Sequence, residues 1–166
     1  MCYIKQKLEA LFRRKFFTIK ATNETIKKIV EDEIYKLGYE ADLNHIDVSE
    51  VTDMDCLFYN SKFNGDISLW NVSNVTNMSF MFHGSKFNGN ITQWDVSKVT
   101  DMSHMFFSSS DFFQNIFNWK VSSGTDISQM FWGTHLSKMF SKERLSNMLL
   151  CGEFNKLTYN YGEVLA

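Results

Sequence analysis

Trp94-Asp-Val-Ser-Lys-Val-Thr-Asp-Met102 repeats Trp70-Asn-Val-Ser-Asn-Val-Thr-Asn-Met78 almost word for word. The phrase begins earlier, as Ile46-Asp-Val-Ser-Glu-Val-Thr-Asp-Met54, and fades into Trp119-Lys-Val-Ser-Ser-Gly-Thr-Asp-Ile127. The starts lie 24, 24 and 25 residues apart, a period in the range of stacked repeat architectures. A unit this short cannot bury its own apolar face, so the units must share a core by stacking. The fold class predicted is therefore α/β, a short solenoid of about four repeats.

Within a unit, Trp70, Val72 and Val75 alternate with polar residues and predict a short strand and the turn that leaves it. Thr76 then occupies an N-cap position, with Asn77 behind it, and Met78, Met81 and Phe82 follow at the spacing of one helical face. The Asp/Asn column of Asp53, Asn77, Asp101 and Asp126 is accordingly assigned to helix capping. Positions that stay apolar in every unit must share an environment. Trp70, Trp94 and Trp119, with Ile46 in the first unit, should stack in one buried column. Val72, Val96 and Val121 should form a second, and Met81, Met105 and Met130 a third. Asn64-Gly65 and Asn88-Gly89 close the units. Gln114 stands in the same turn, so a left-handed backbone is not essential there.

Three zones follow: residues 1–45 a helical N-terminal cap, 46–136 the repeats, and 137–166 a helical C-terminal cap and tail. Ile4, Leu8, Leu11 and Phe12 fall at helical spacing. A second helix over 22–37 carries Ile26, Val30, Ile34 and Leu37, with Thr22 or Asn23 as its cap and Gly38 at its end. Met139, Phe140, Leu145, Met148 and Leu149 predict an amphipathic helix over 137–150. Both helices would cover repeat ends that would otherwise leave apolar surface wet.

Composition narrows the function. A hydrophobic fraction of 44% with 16% aromatic residues fits a packed domain. The net charge of −2 gives no nucleic-acid bias, although Lys5, Lys7, Arg13, Arg14, Lys15 and Lys20 face only Glu9 in the first twenty residues. Lys5, Lys7, Arg13, Arg14 and Lys15, interleaved with Leu8, Leu11 and Phe12, form either a solvated helix face or a weak contact with an anionic surface. No apolar run is long enough to span a bilayer and no secretory signal is evident, so the chain is expected inside a cell or within a virion in preference to a secreted state, with the compartment itself left open. Cys2, Cys56 and Cys151 share no column and no C-x-x-C spacing, and are expected to be free thiols.

The wording Trp94-Asp-Val-Ser-x-Val-Thr-Asp-Met-Ser-x-Met-Phe106, followed in the units by Phe-Asn-Gly-x-Ile, resembles the roughly 25-residue repeat of BspA-like bacterial surface proteins and mycoplasma lipoproteins, also found in large DNA viruses and protists. The resemblance covers about residues 24–136. It implies a leucine-rich-repeat-like solenoid without catalytic residues, in a family of surface or interaction proteins.

Comparison between units singles out two further columns. Cys56, Phe80, His104 and Gln129 tolerate any residue and should face solvent. Tyr59, His83, Phe107 and Trp132, one place after an invariant Phe, stay aromatic while changing identity. They form either a recognition strip or a set of rings half-buried against neighbouring repeats. His45, His83, His104 and His135 occupy four different places in the pattern and make no metal set. No acid, base or nucleophile cluster emerges, and neither a cofactor nor a metal is implied. The chain is thus expected to be a non-enzymatic protein–protein interaction module. The alternative is a structural component of a larger assembly such as a virus particle.

Overall fold

The computed structural model describes residues 8–9, 12–13 and 17–151. Its regular elements are β1 (Ile19–Lys20), α1 (Ile26–Leu37), β2 (Ile46–Asp47), α2 (His135–Met139) and α3 (Lys142–Cys151). Between β2 and α2 the backbone consists of turns joined by irregular segments and isolated bridges. The reason is a five-residue phrase used three times per repeat: Asp66-Ile-Ser-Leu-Trp70, Asn71-Val-Ser-Asn-Val75 and Asn77-Met-Ser-Phe-Met81. The Asx side chain accepts the N–H two residues on, from Ser68, Ser73 and Ser79 at 2.9, 3.2 and 3.0 Å. A β-turn then closes on the apolar residues, Trp70 N–H to Ile67 O, Val75 to Val72 and Met81 to Met78. Asx side chains favour such bends because they imitate a backbone acceptor. Ile67, Trp70, Val72, Val75, Met78 and Met81 consequently all point into the core.

The short helix expected after Thr76 is thus two successive turns. Phe80 and Gly84 have φ of 54° and 63°, which a right-handed helix cannot contain. Nor are the Asp/Asn residues caps: they are corner acceptors. The predicted strand at Trp70–Val75 is likewise a turn.

Each repeat is bonded to the next through the backbone. The N–H groups of Met78, Phe80, Phe82 and Gly84 donate to the carbonyls of Asp101, Ser103, Met105 and Phe107 at 2.7–3.0 Å. The same ladder joins Met54–Asn60 to the second repeat and Met102–Ser108 to the fourth, with parallel bridges Asp53–Asn77, Asn77–Asp101 and Asp101–Asp126. An opposite ladder runs through the threonines, Thr76 N–H to Thr52 O and Thr100 N–H to Thr76 O.

The Trp column is buried, with Ile46 as its first member, and each indole N–H donates to a carbonyl one repeat earlier: Trp70 to Leu43, Trp94 to Ile67, Trp119 to Ile91. Met81, Met105 and Met130 are buried, as are Val72 and Val96, while Val121 is half-buried. Phe58, Phe82, Phe106 and Phe131 stack along the centre, the first three with centroids 5.3 and 5.5 Å apart and planes within 1°. Gly65 and Gly89 have no positive φ. A Cβ on Gly65 would nonetheless fall 2.0 Å from the Ala41 carbonyl oxygen, so close approach rather than handedness requires glycine there.

At the N-terminal end, β1 pairs in parallel with β2, Ile19 opposite Ile46. Helix α1 starts at Ile26, later than expected, and neither expected cap serves it through its side chain. Asn23 instead accepts from Thr52 and Asp53 N–H at 2.9 and 3.2 Å, where Thr52 O serves the next repeat. Gly38, at φ 92°, closes α1 with its N–H on Ile34 O. At the other end the single helix expected over 137–150 is two, α2 and α3, with Thr134 capping α2 by accepting from Ser137 N–H.

Candidate interaction surface

The turn that buries Phe58, Phe82, Phe106 and Phe131 throws the next residue outward. Tyr59, His83, Phe107 and Trp132 therefore occupy one outer row, brought together as a single stack. Tyr59–His83, His83–Phe107 and Phe107–Trp132 centroids lie 4.7, 4.9 and 4.6 Å apart with planes within 19°. The row is not buried against neighbouring repeats: Tyr59 and Trp132 are 46% and 58% exposed, with His83 and Phe107 half-buried between them. Face-to-face packing of a continuous row leaves ring edges and the two terminal faces to solvent.

The row is wider than the sequence indicated. Phe80 and His104, expected to face solvent, are half-buried and stack on each other at 4.6 Å. They also tilt against His83 and Phe107 at 5.7 and 5.4 Å. All four members of their column have φ between 54° and 57°. That left-handed backbone swings the side chain toward the outer row instead of away from it. Two imidazole atoms, Nδ1 of His83 and of His104, are buried without a hydrogen-bond partner. Burial, with the charge of His104 nearby, holds the His83 imidazole below the usual histidine range. Cys56, the first member of that column, is a free thiol donating to Asp55 at 3.2 Å, and burial and that carboxylate push it up to about 11.

A second polar feature lies beneath α1. Glu33 is buried on the helix face that carries Ile26 and Val30, with its Oε2 3.0 Å from the buried His45 Nε2. Burial pushes its carboxyl up, but the bonds from Lys36 and His45 win and hold it below the usual range. Arg13 Nη1 stands 4.0 Å away. The signal for this cluster was a glutamate in the apolar stripe of a helix, seven residues after Ile26 and three after Val30. Of the basic residues weighed for anionic surfaces, Arg13 is thus turned toward Glu33. Lys5, Lys7, Arg14 and Lys15 lie outside the described residues, as does the tail from Gly152. Among the described residues no helix is long and apolar enough to cross a membrane. Of the histidines, His45 pairs with Glu33, His83 and His104 join the rings, and His135 meets Phe113 edge-on at 5.2 Å.

Residues 24–147 match the family described as Mycoplasma protein of unknown function, DUF285, which is of the BspA-like repeat lipoprotein type that the Trp-Asp-Val-Ser wording resembles. No curated protein and no solved structure matches the chain.

Proposed function

Since the chain belongs to the DUF285 family of BspA-like repeat proteins, we propose that it is a non-enzymatic module, a short solenoid that binds other proteins through its outer ring row. The observation that carries this reading is the exposed stack Tyr59-His83-Phe107-Trp132. Large rings held rigid by their neighbours lose little conformational freedom on binding, and Trp and Tyr are the residues that most often anchor interfaces. Trp132 is the principal anchor, since it combines the largest area with an indole donor.

The experiment is a pull-down from a source lysate with the parent protein, Trp132→Ala and Tyr59→Ala, each first shown to melt like the parent. Specific partners retained by the parent should be lost or much reduced with Trp132→Ala. Equal recovery with both variants would overturn the reading, and recovery of the chain only inside a large particle would favour a structural role in that assembly.

A further inference from the structure

The ladder of backbone bonds stops at the fourth repeat. Met102, His104, Phe106 and Ser108 pass their N–H groups to Asp126, Ser128, Met130 and Trp132. Their counterparts one repeat later, Ile127, Gln129, Phe131 and Gly133, have no acceptor among the described residues, while the alternate N–H groups of Ser128, Met130, Trp132 and Thr134 are bonded within the turn. The residues that carry these donors, at every second position, line a cleft of about 380 Å³ between the last turn and α3. Trp132 also lines it, with one ring face stacked on Phe107 and the residue 58% exposed. At the opposite end of the molecule β1 lies along a different row, pairing with β2 and donating from Ile19 and Ala21 to His45 O and Asp47 O.

We propose that this edge takes up an extended segment of a partner protein as a fifth, parallel rung, with an aromatic side chain of that segment seated on the outer face of Trp132. Donors spaced at every second residue match the carbonyls along one side of a polypeptide and little else. The register is parallel because every bridge between repeats is parallel. The cleft is also polarised: its lining includes Lys142 and three serines but no carboxylate. Its occupant is therefore rich in acceptors, with Asp or Asn at the corner. This goes beyond the ring row, since backbone donors rather than side chains give the grip, and the two ideas can fail separately.

The test uses the full chain and, as probe, an acetylated and amidated peptide copying Asp101–Ser109, whose carbonyls at Asp101, Ser103, Met105 and Phe107 already serve this role for the second repeat. Amide hydrogen exchange read residue by residue by NMR should be fast at Gln129, Phe131 and Gly133 in the free protein and slow at His104, Phe106 and Ser108. Saturating peptide should slow the first set by about tenfold or more, and shield Trp132, the exposed tryptophan, from iodide quenching. A scrambled peptide should do neither, and Trp132→Ala should weaken binding by about tenfold. Edge amides already slow in the free chain, or uniform slowing of all amides, would overturn the proposal. So would protection that rises with protein concentration alone, which would make the occupant a second copy. Binding that requires removal of residues 152–166 would do the same, by assigning the edge to the chain's own terminus. If Trp132→Ala abolishes partner recovery while the edge amides stay indifferent to peptide, the ring row stands and the edge does not.

Discussion

Two neighbouring residues in each repeat lead opposite lives. Phe82 lies in the central stack and His83 in the outer one, yet both rows pack ring on ring, at 5.3–6.3 Å inside and 4.6–4.9 Å outside. The inner place is Phe in all four repeats, whereas the outer place is Tyr, His, Phe and Trp in turn. Stacking alone therefore does not fix residue identity. The inner ring is enclosed by the Trp, Met and second Phe columns, so its volume is set from every side. The outer ring is set from above and below and, at His83 and Phe107, by one tilted neighbour, with its remaining edge open, so any flat side chain serves.

The largest effect expected from this contrast is that of Phe82→Ala. Removing a fully buried ring from the middle of the stack should cost about 3–5 kcal/mol, measured as a shift in the urea midpoint. A cost no greater than that of His83→Ala would break the comparison.

Trp94→Phe is the next step down. It keeps a ring in the core but deletes the indole donor, leaving the Ile67 carbonyl oxygen with only its bond from Trp70 N–H. The lost bond and the smaller ring should together cost about 1–3 kcal/mol, and a neutral result would mean that neither the bond nor the size of the ring matters.

In the outer row the sign should depend on the replacement. His83→Ala loses two stacking contacts and should cost about 0.5–1.5 kcal/mol. His83→Phe keeps them and removes the buried, unpartnered Nδ1, so it should be neutral or stabilising by about 1 kcal/mol. If His83→Phe destabilises as much as Phe82→Ala, the outer row is core in all but name.

The smallest effect is a pH dependence, and it too separates the rows. With its folded value depressed, His83 contributes fully above the ordinary histidine pKa of about 6.5, and that contribution is lost as pH falls through the folded value. Glu33, also depressed, adds a second loss beginning below the ordinary glutamate value of about 4.3. Denaturation curves of the parent should therefore weaken first below about pH 6.5 and again below about 4.3. The first step should vanish in His83→Phe and the second should shrink in Glu33→Gln. A first step that survives His83→Phe would place the titration elsewhere.

The period, the stacking of like on like and the buried columns were legible in the sequence, because a 24-residue repeat forces each position to meet its own copies. The outer row was legible as aromatic for the same reason. Its exposure was not, since a one-dimensional pattern cannot tell a ring enclosed on all sides from one enclosed on two. The local conformation was misjudged at Met78–Phe82, where apolar spacing of three and four residues suits a helix and a pair of turns equally. The thrice-used phrase Asx-apolar-Ser-x-apolar was the signal that separates them, and only Asx-to-backbone bonding gives it meaning.

Sequence by itself determined which residues pair across repeats, and hence the four columns and their order. Tertiary structure alone decided what each end of the stack meets. Asn23 replaces an absent carbonyl, β1 pairs along Ile46–Asp47, and Ile127, Gln129, Phe131 and Gly133 have no acceptor among the described residues. The physical reason is that repetition specifies contacts between like units, whereas a terminus has no like neighbour, and its hydrogen bonds must be found in whatever the chain folds over it.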